Sequence, residues 1–246
     1  MQSLNTPYRI GVITPSSNTV LEPMTQEILR QLPHVTAHFS RFPVLSISLK
    51  GNALKQFETD ELLRAAQLLA DARVDAIIWS GTSSGWLGID ADQELCAAIQ
   101  TATGIYTTTS VLALFEAFNA INATRVGLCT PYLDDVQSKI VDTFRTNGYE
   151  TVAEAHLGLE ENFSFCTVQE PAIDEMVTAV AAEKPEAITI FCTNLRGVAV
   201  VNRMEAKTGI PVFDTVATPI WTVLQRAGID TSSIKEHGKL FSLKLK

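Results

Sequence analysis

A weak internal repeat, carried in the same order through both halves of the chain, limits what it can fold into more than any other feature. RIGVITPS (9–16) is echoed by RVGLCTPY (125–132) at an offset of 116 residues. AIIWSGTS (76–83) lies over AITIFCTN (187–194) at an offset of 111, and TGIYTTTSVLALFEAF (103–118) over TGIPVFDTVATPIWTV (208–223) at 105. Matches in one order with a slowly shrinking offset point to two similar folding units.

Within each unit, short apolar runs alternate with segments of helical period. Strand patterns at 9–14 and 74–80 are joined by helical ones at 20–32 and 61–73, the latter placing Leu62, Leu63, Ala66, Leu69 and Ala70 on one face. Such alternation predicts an α/β fold: two pseudo-symmetric parallel-sheet α/β domains with the active site in the cleft between them. The first half is expected to span 1–118 and to regain a C-terminal segment of about 221–246; the second spans 119–220. No linker rich in Pro, Gly or Ser separates them.

Composition narrows the partners. With 246 residues, 46% of them hydrophobic, the chain can bury a full core. Its net charge of −8 is scattered, which argues against a nucleic-acid or anionic-membrane surface. No apolar run approaches the roughly 18 to 20 residues of a membrane span, and MQSLNTPYR lacks the regions of a signal peptide, so a cytoplasmic location is expected. Cys96, Cys129, Cys166 and Cys192 are widely spaced, without a CxxC pair or Cys/His cluster, so reduced thiols and no metal site are expected. Phosphate-loop and dinucleotide glycine patterns are absent, and no cofactor is implied. Whether the chain works alone or as a homo-oligomer is not legible.

In open α/β sheets ligands bind beyond the C-terminal ends of strands. Four loops meet that description: TPSSNT (14–19), SGTSSG (80–85), TPYLDD (130–135) and FCTNLRG (191–197). The repeat superposes Gly81 on Cys192, so one pseudo-equivalent position holds a thiol and the other no side chain. Cys192 reads either as a buried packing residue or as a proton shuttle whose pKa neighbouring donors draw from about 8.5 toward neutrality. Pro15, Ser16, Ser17, Asn18 and Thr19 serve either a helix cap or a ligand, and a helix N-terminus suits both. Thr82, Ser83, Thr193 and Asn194 add donors, Tyr132 offers a phenol, and Asn162 lies in a polar break. Trp86 is either an apolar wall or core. The four histidines fall outside these loops, which disfavours a serine-hydrolase triad. A cleft of neutral donors with one thiol suits a small carboxylate reacting through an enediolate.

On these motifs, from RIGVITPSSNT to PVFDTVATPIWTVLQRAGI, the chain resembles the aspartate/glutamate racemase superfamily, within it the branch of maleate cis–trans isomerases and arylmalonate decarboxylases. The resemblance implies an inter-domain site in which Asn18, Tyr132 and Asn162 hold a carboxylate. PSSNT followed by Glu22 is similar to the isomerases. Racemases and isomerases of the superfamily use a cysteine from each domain; here the second is Cys192, and Gly81 stands in place of the first, followed by Thr-Ser as in the decarboxylases. The catalytic position outweighs the loop, because glycine supplies neither base nor nucleophile. The resemblance thus implies decarboxylation of a substituted malonate-type acid, with Cys192 as proton donor and Thr82, Ser83, Tyr132 and the backbone near Thr193 as anion pocket. The rivals are a maleate-type isomerase, an Asp/Glu/hydantoin-type racemase and a non-catalytic carboxylate-binding protein.

Overall fold

The computed structural model describes residues 7–47, 49 and 59–246, with the side chain of Thr59 left aside. Residues 1–6, part of the segment read for a signal peptide, lie outside that set. The first half runs β1 (Tyr8–Pro15), α1 (Leu21–Leu29), β2 (Val35–Phe42), α2 (Thr59–Asp71), β3 (Ala76–Trp79), α3 (Ser84–Leu87), α4 (Ile89–Thr103), β4 (Thr107–Thr109) and α5 (Ser110–Ala120). The second runs β5 (Arg125–Thr130), α6 (Asp134–Thr146), β6 (Glu150–His156), α7 (Glu170–Ala181), β7 (Ala187–Ile190), α8 (Gly197–Thr208), β8 (Val212–Asp214) and α9 (Ala217–Arg226).

Each half carries a four-stranded sheet, ordered β2-β1-β3-β4 and β6-β5-β7-β8, with every pair parallel. The identical order is the repeat made physical. Its three segments are β1 with β5, β3 with β7, and β4–α5 with β8–α9. In both sheets the strand order reverses beside the first strand, so the loops after β1 and β3, and after β5 and β7, flank a topological switch point.

Strands β3 and β7, AIIW and AITI, are buried throughout, as a parallel strand covered on both faces requires. Helix α2 turns its expected stripe inward, with Leu62, Ala66 and Leu69 buried and Leu63 and Ala70 partly so. Among the described residues no helix is long and apolar enough to cross a membrane.

The halves meet along the pseudo-equivalent helices α5 and α9. Ser110 Oγ donates to Thr215 O (2.7 Å), Thr222 Oγ1 to Glu116 Oε2 (2.8 Å) and Arg226 Nη2 to Glu116 Oε1 (2.5 Å). Around this contact the α5 rings of Phe115 and Phe118 pack on Phe144 of α6 (centroids 5.4 and 6.3 Å apart), and Phe118 on Phe213 of β8 (6.0 Å). Such pairs add about 0.5–1.5 kcal/mol each beyond buried area. Gly85 permits a second close approach: a Cβ there would lie 2.7 Å from the Phe191 ring and 3.2 Å from Ile140. Helix α3 therefore seats directly on the second half.

Beyond α9 the chain is tied back by buried Glu205, whose Oε1 accepts from Val212 N (2.9 Å) and Oε2 from Lys239 N (2.8 Å). Glu205→Ala leaves two amides without an acceptor and is expected to cost about 2–4 kcal/mol. Thermal melts should fall by several degrees, with faster amide exchange near Lys239 than in Glu205→Gln, which keeps one acceptor.

Candidate active site

Beyond the C-terminal ends of β1, β3, β5 and β7 lies a small cavity. Its lining takes Pro15, Gly81, Thr82 and Ser83 from the first half, and Tyr132, Asn162, Cys192 and Thr193 from the second. Trp86 lines it as the sequence reading allowed, with its ring edge-on to Tyr132 at 5.4 Å. Val44, Ile47 and Trp79 complete the apolar side, and sequence reasoning had named none of them. The segment after β2 bends across to the second half through a bridge between Ser46 and Glu161, with Ile47 N donating to Glu160 O (2.9 Å) and Asn162 N to Leu45 O (3.0 Å). Val44 and Ile47 arrive by that route, which no local pattern announces.

Asn18, Asn194 and Ser16, expected as substrate contacts, make their hydrogen bonds to the loops around them. Asn18 Oδ1 accepts from Val20 N (3.0 Å) and Leu21 N (2.9 Å) at the entry to α1, and its Nδ2 donates to Thr193 Oγ1 (3.2 Å). Asn194 Oδ1 accepts from Thr19 N (3.1 Å) and its Nδ2 donates to Asn162 O (2.6 Å). Ser16 Oγ accepts from Val44 N (3.1 Å). All three stand outside the cavity lining, with polar atoms joining loop to loop. Glu22, too, turns away: its carboxylate binds Arg41 Nε (2.9 Å), while Arg41 Nη1 gathers the carbonyls of Ser16 (2.9 Å) and Asn18 (3.0 Å).

What remains at the cavity is a chain of neutral donors. Thr82 Oγ1 and Tyr132 Oη are 2.8 Å apart, across the two halves, and the Tyr132 hydroxyl reaches the Cys192 sulfur. Asn194 N also donates to Cys192 Sγ (3.4 Å). These donors favour a thiolate, yet full burial outweighs them and pushes Cys192 up to about 12. The expectation of a pKa drawn toward neutrality is thereby corrected: donors are visible in a sequence, whereas the desolvation that opposes them is not. Burial likewise raises the Tyr132 phenol well above its ordinary value. At neutral pH both groups hold their protons.

Two buried carboxyls stand behind this layer. Asp92 accepts from Ser84 Oγ (2.7 Å) and from Thr109 Oγ1, the residue that caps α5, and burial raises it to about 6. Asp214, at the end of β8 beside β7, accepts from Val216 N (2.7 Å), leaves Oδ2 without a partner among the described residues, and is raised by burial to about 7.

A two-halved α/β fold thus gathers a thiol and neutral donors at its switch-point loops, the place where ligands bind in open α/β sheets. The chain belongs to the arylmalonate decarboxylase family, whose sequence pattern it matches over residues 18–241. It is 24% identical over 235 residues to a maleate isomerase of Pseudomonas putida, covering 91% of this chain and 93% of that protein. It is 23% identical over 245 residues to the arylmalonate decarboxylase of Bordetella bronchiseptica, covering 98% and 99%. Among solved structures, a cysteine-to-serine mutant of the Nocardia farcinica maleate cis–trans isomerase, with a covalently bound succinylcysteine intermediate, superposes with a TM-score of 0.87 at 20% identity, covering 95% of this chain and 98% of that one. The chain is accordingly an enzyme of the lyase or isomerase kind.

The raised carboxyls fix a pH dependence. Folded Asp92 and Asp214 keep their protons up to about pH 6 and 7, whereas the unfolded chain releases them near 4. Their contribution is therefore full below pH 4 and is lost as pH rises through 6 and 7. Between pH 5 and 8, Asp92→Asn and Asp214→Asn should each lose about 1–3 kcal/mol less stability than the parent in denaturant titrations. Parallel stability curves would refute the assignment.

Proposed function

We propose that the protein is a cofactor-independent decarboxylase of a disubstituted malonate-type acid, with Cys192 as the proton donor. The observation that carries this reading is the asymmetry of the cavity: a protonated thiol on the second-half side and, at the equivalent first-half position, Gly81. Membership of the arylmalonate decarboxylase family supports it.

One substrate carboxylate lies among Thr82, Ser83, Tyr132 and the backbone near Cys192 and Thr193. The C–C bond to the other carboxylate breaks, carbon dioxide leaves, and the bond's electron pair moves onto the retained carboxylate as an enediolate. Neutral donors suit this charge, because they stabilise it as it develops without having to reorganise. The α-carbon then takes the proton of Cys192, the C–H bond forming as the S–H bond breaks, and the thiolate recovers a proton from water. A thiol whose resting state is protonated fits a donor better than a base. Gly81 leaves the opposite face without a proton source, so one product hand is expected.

A maleate-type isomerase remains the second reading, favoured by likeness to maleate isomerases across nearly the whole chain. Proton NMR in deuterated water, with methyl(phenyl)malonate and maleate offered separately, discriminates the two. The expected result is carbon dioxide loss with one deuterium placed at the α-carbon, and a rate reduced about 10²–10⁴-fold in Cys192→Ala. Fumarate formation from maleate without malonate turnover would replace this reading with the isomerase. Undiminished decarboxylation by Cys192→Ala would remove the thiol from the mechanism, and carboxylate binding without turnover would mark a binding protein.

A further inference from the structure

Gly81 lacks more than a thiol; it lacks room for any side chain. A Cβ built on it would lie 2.1 Å from Trp79 Cζ2 and 2.5 Å from both Cε2 and Cη2. These are ring atoms of a side chain only 1% exposed, held edge-to-face against Phe42 at 5.0 Å. The indole therefore lies across the α-carbon of Gly81, in the seat that a residue-81 side chain would take. Trp79 also borders a second cavity of about 260 Å³, whose walls include Leu62, Leu87, Asp92 and Leu95, and it shares that position with Ser83.

From this juxtaposition we infer that Trp79 is a specificity-determining residue: it is the partition between the catalytic cavity and the space behind it, and limits the substituent that a substrate can present toward Gly81. The consequence for substrate deepens the decarboxylase reading and rests on it; the steric exclusion between positions 79 and 81 does not. An acid with a small α-substituent fits against the indole. A longer one needs the partition removed, and once it is removed the second cavity supplies apolar wall from Leu62, Leu87 and Leu95.

Two measurements test the inference. In a thermal-melting cycle of the parent, Gly81→Cys, Trp79→Ala and the double variant, the cysteine should lower the melting temperature by about 3–10 °C when the indole is present and by less than half as much in the Trp79→Ala background. Equal cost in both backgrounds overturns the shared seat. Trp79→Leu, apolar and shorter than the indole, carries the same cycle if the alanine variant does not fold. The second measurement is the affinity for 2-phenylpropanoate and 2-phenylhexanoate by titration calorimetry. The parent should prefer the shorter acid at least 10-fold, and Trp79→Ala should reduce that preference at least 10-fold, with affinity for the longer acid rising relative to the parent. A Trp79→Phe variant should fall between the two. An unchanged preference overturns the specificity role. A parent that binds neither acid and decarboxylates no malonate overturns the carboxylate reading and the substrate role together, and leaves the melting cycle to decide the steric relation by itself.

Discussion

The site depends on two asparagines that lace the halves together. Each sheet pairs its strands within one half, and the loops that follow them are joined across the halves by side chains and by the bridge at Ser46 and Glu161. Asn18 reaches from the first half to Thr193, and Asn194 returns from the second to the backbone of Thr19. Both are buried, at 0% and 1% exposure, so an atom deprived of its partner would have no water to turn to. That penalty gives the interlock its hold, and the Thr82 and Tyr132 hydroxyls meet across the two halves that it joins.

Within that frame, desolvation governs the chemistry more than hydrogen bonding does. Cys192 receives donors from Tyr132 and the Asn194 amide and still keeps its proton, because a thiolate sealed in the core would lose more hydration than these contacts return. The same reasoning holds Asp92 and Asp214 near neutrality. The titratable groups of the cavity lining itself, Cys192 and Tyr132, are thus uncharged at neutral pH, so charge arising on a ligand meets oriented dipoles at its immediate contacts.

Much of this was legible beforehand because it follows from period and topology. Apolar runs for β3 and β7, an amphipathic α2 and three repeated segments sufficed for the two-sheet architecture, and the position of loops at strand ends pointed to Thr82, Tyr132, Cys192 and Thr193. Other features depend on distances that residue type does not encode. An asparagine that binds a carboxylate and one that staples two loops have the same donors and acceptors, so Asn18 and Asn194 could not be sorted. Val44 and Ile47 enter through a crossing of the halves at Ser46 and Glu161. Trp79 looked like the last residue of a buried strand, and only its ring position over Gly81 distinguishes a wall from core.

The contact of Trp79 with Gly81 also bears on how such a chain changes over generations. With the indole in place, a codon change that puts a thiol at position 81 meets ring carbon 2.1 Å from its β-carbon before it meets any substrate. The reverse order has no such obstacle: a smaller residue at 79 first, then a cysteine at 81. In this chain, then, a thiol at position 81 and the present seat of the tryptophan are alternatives for the same space, so the two positions can change freely only as a pair.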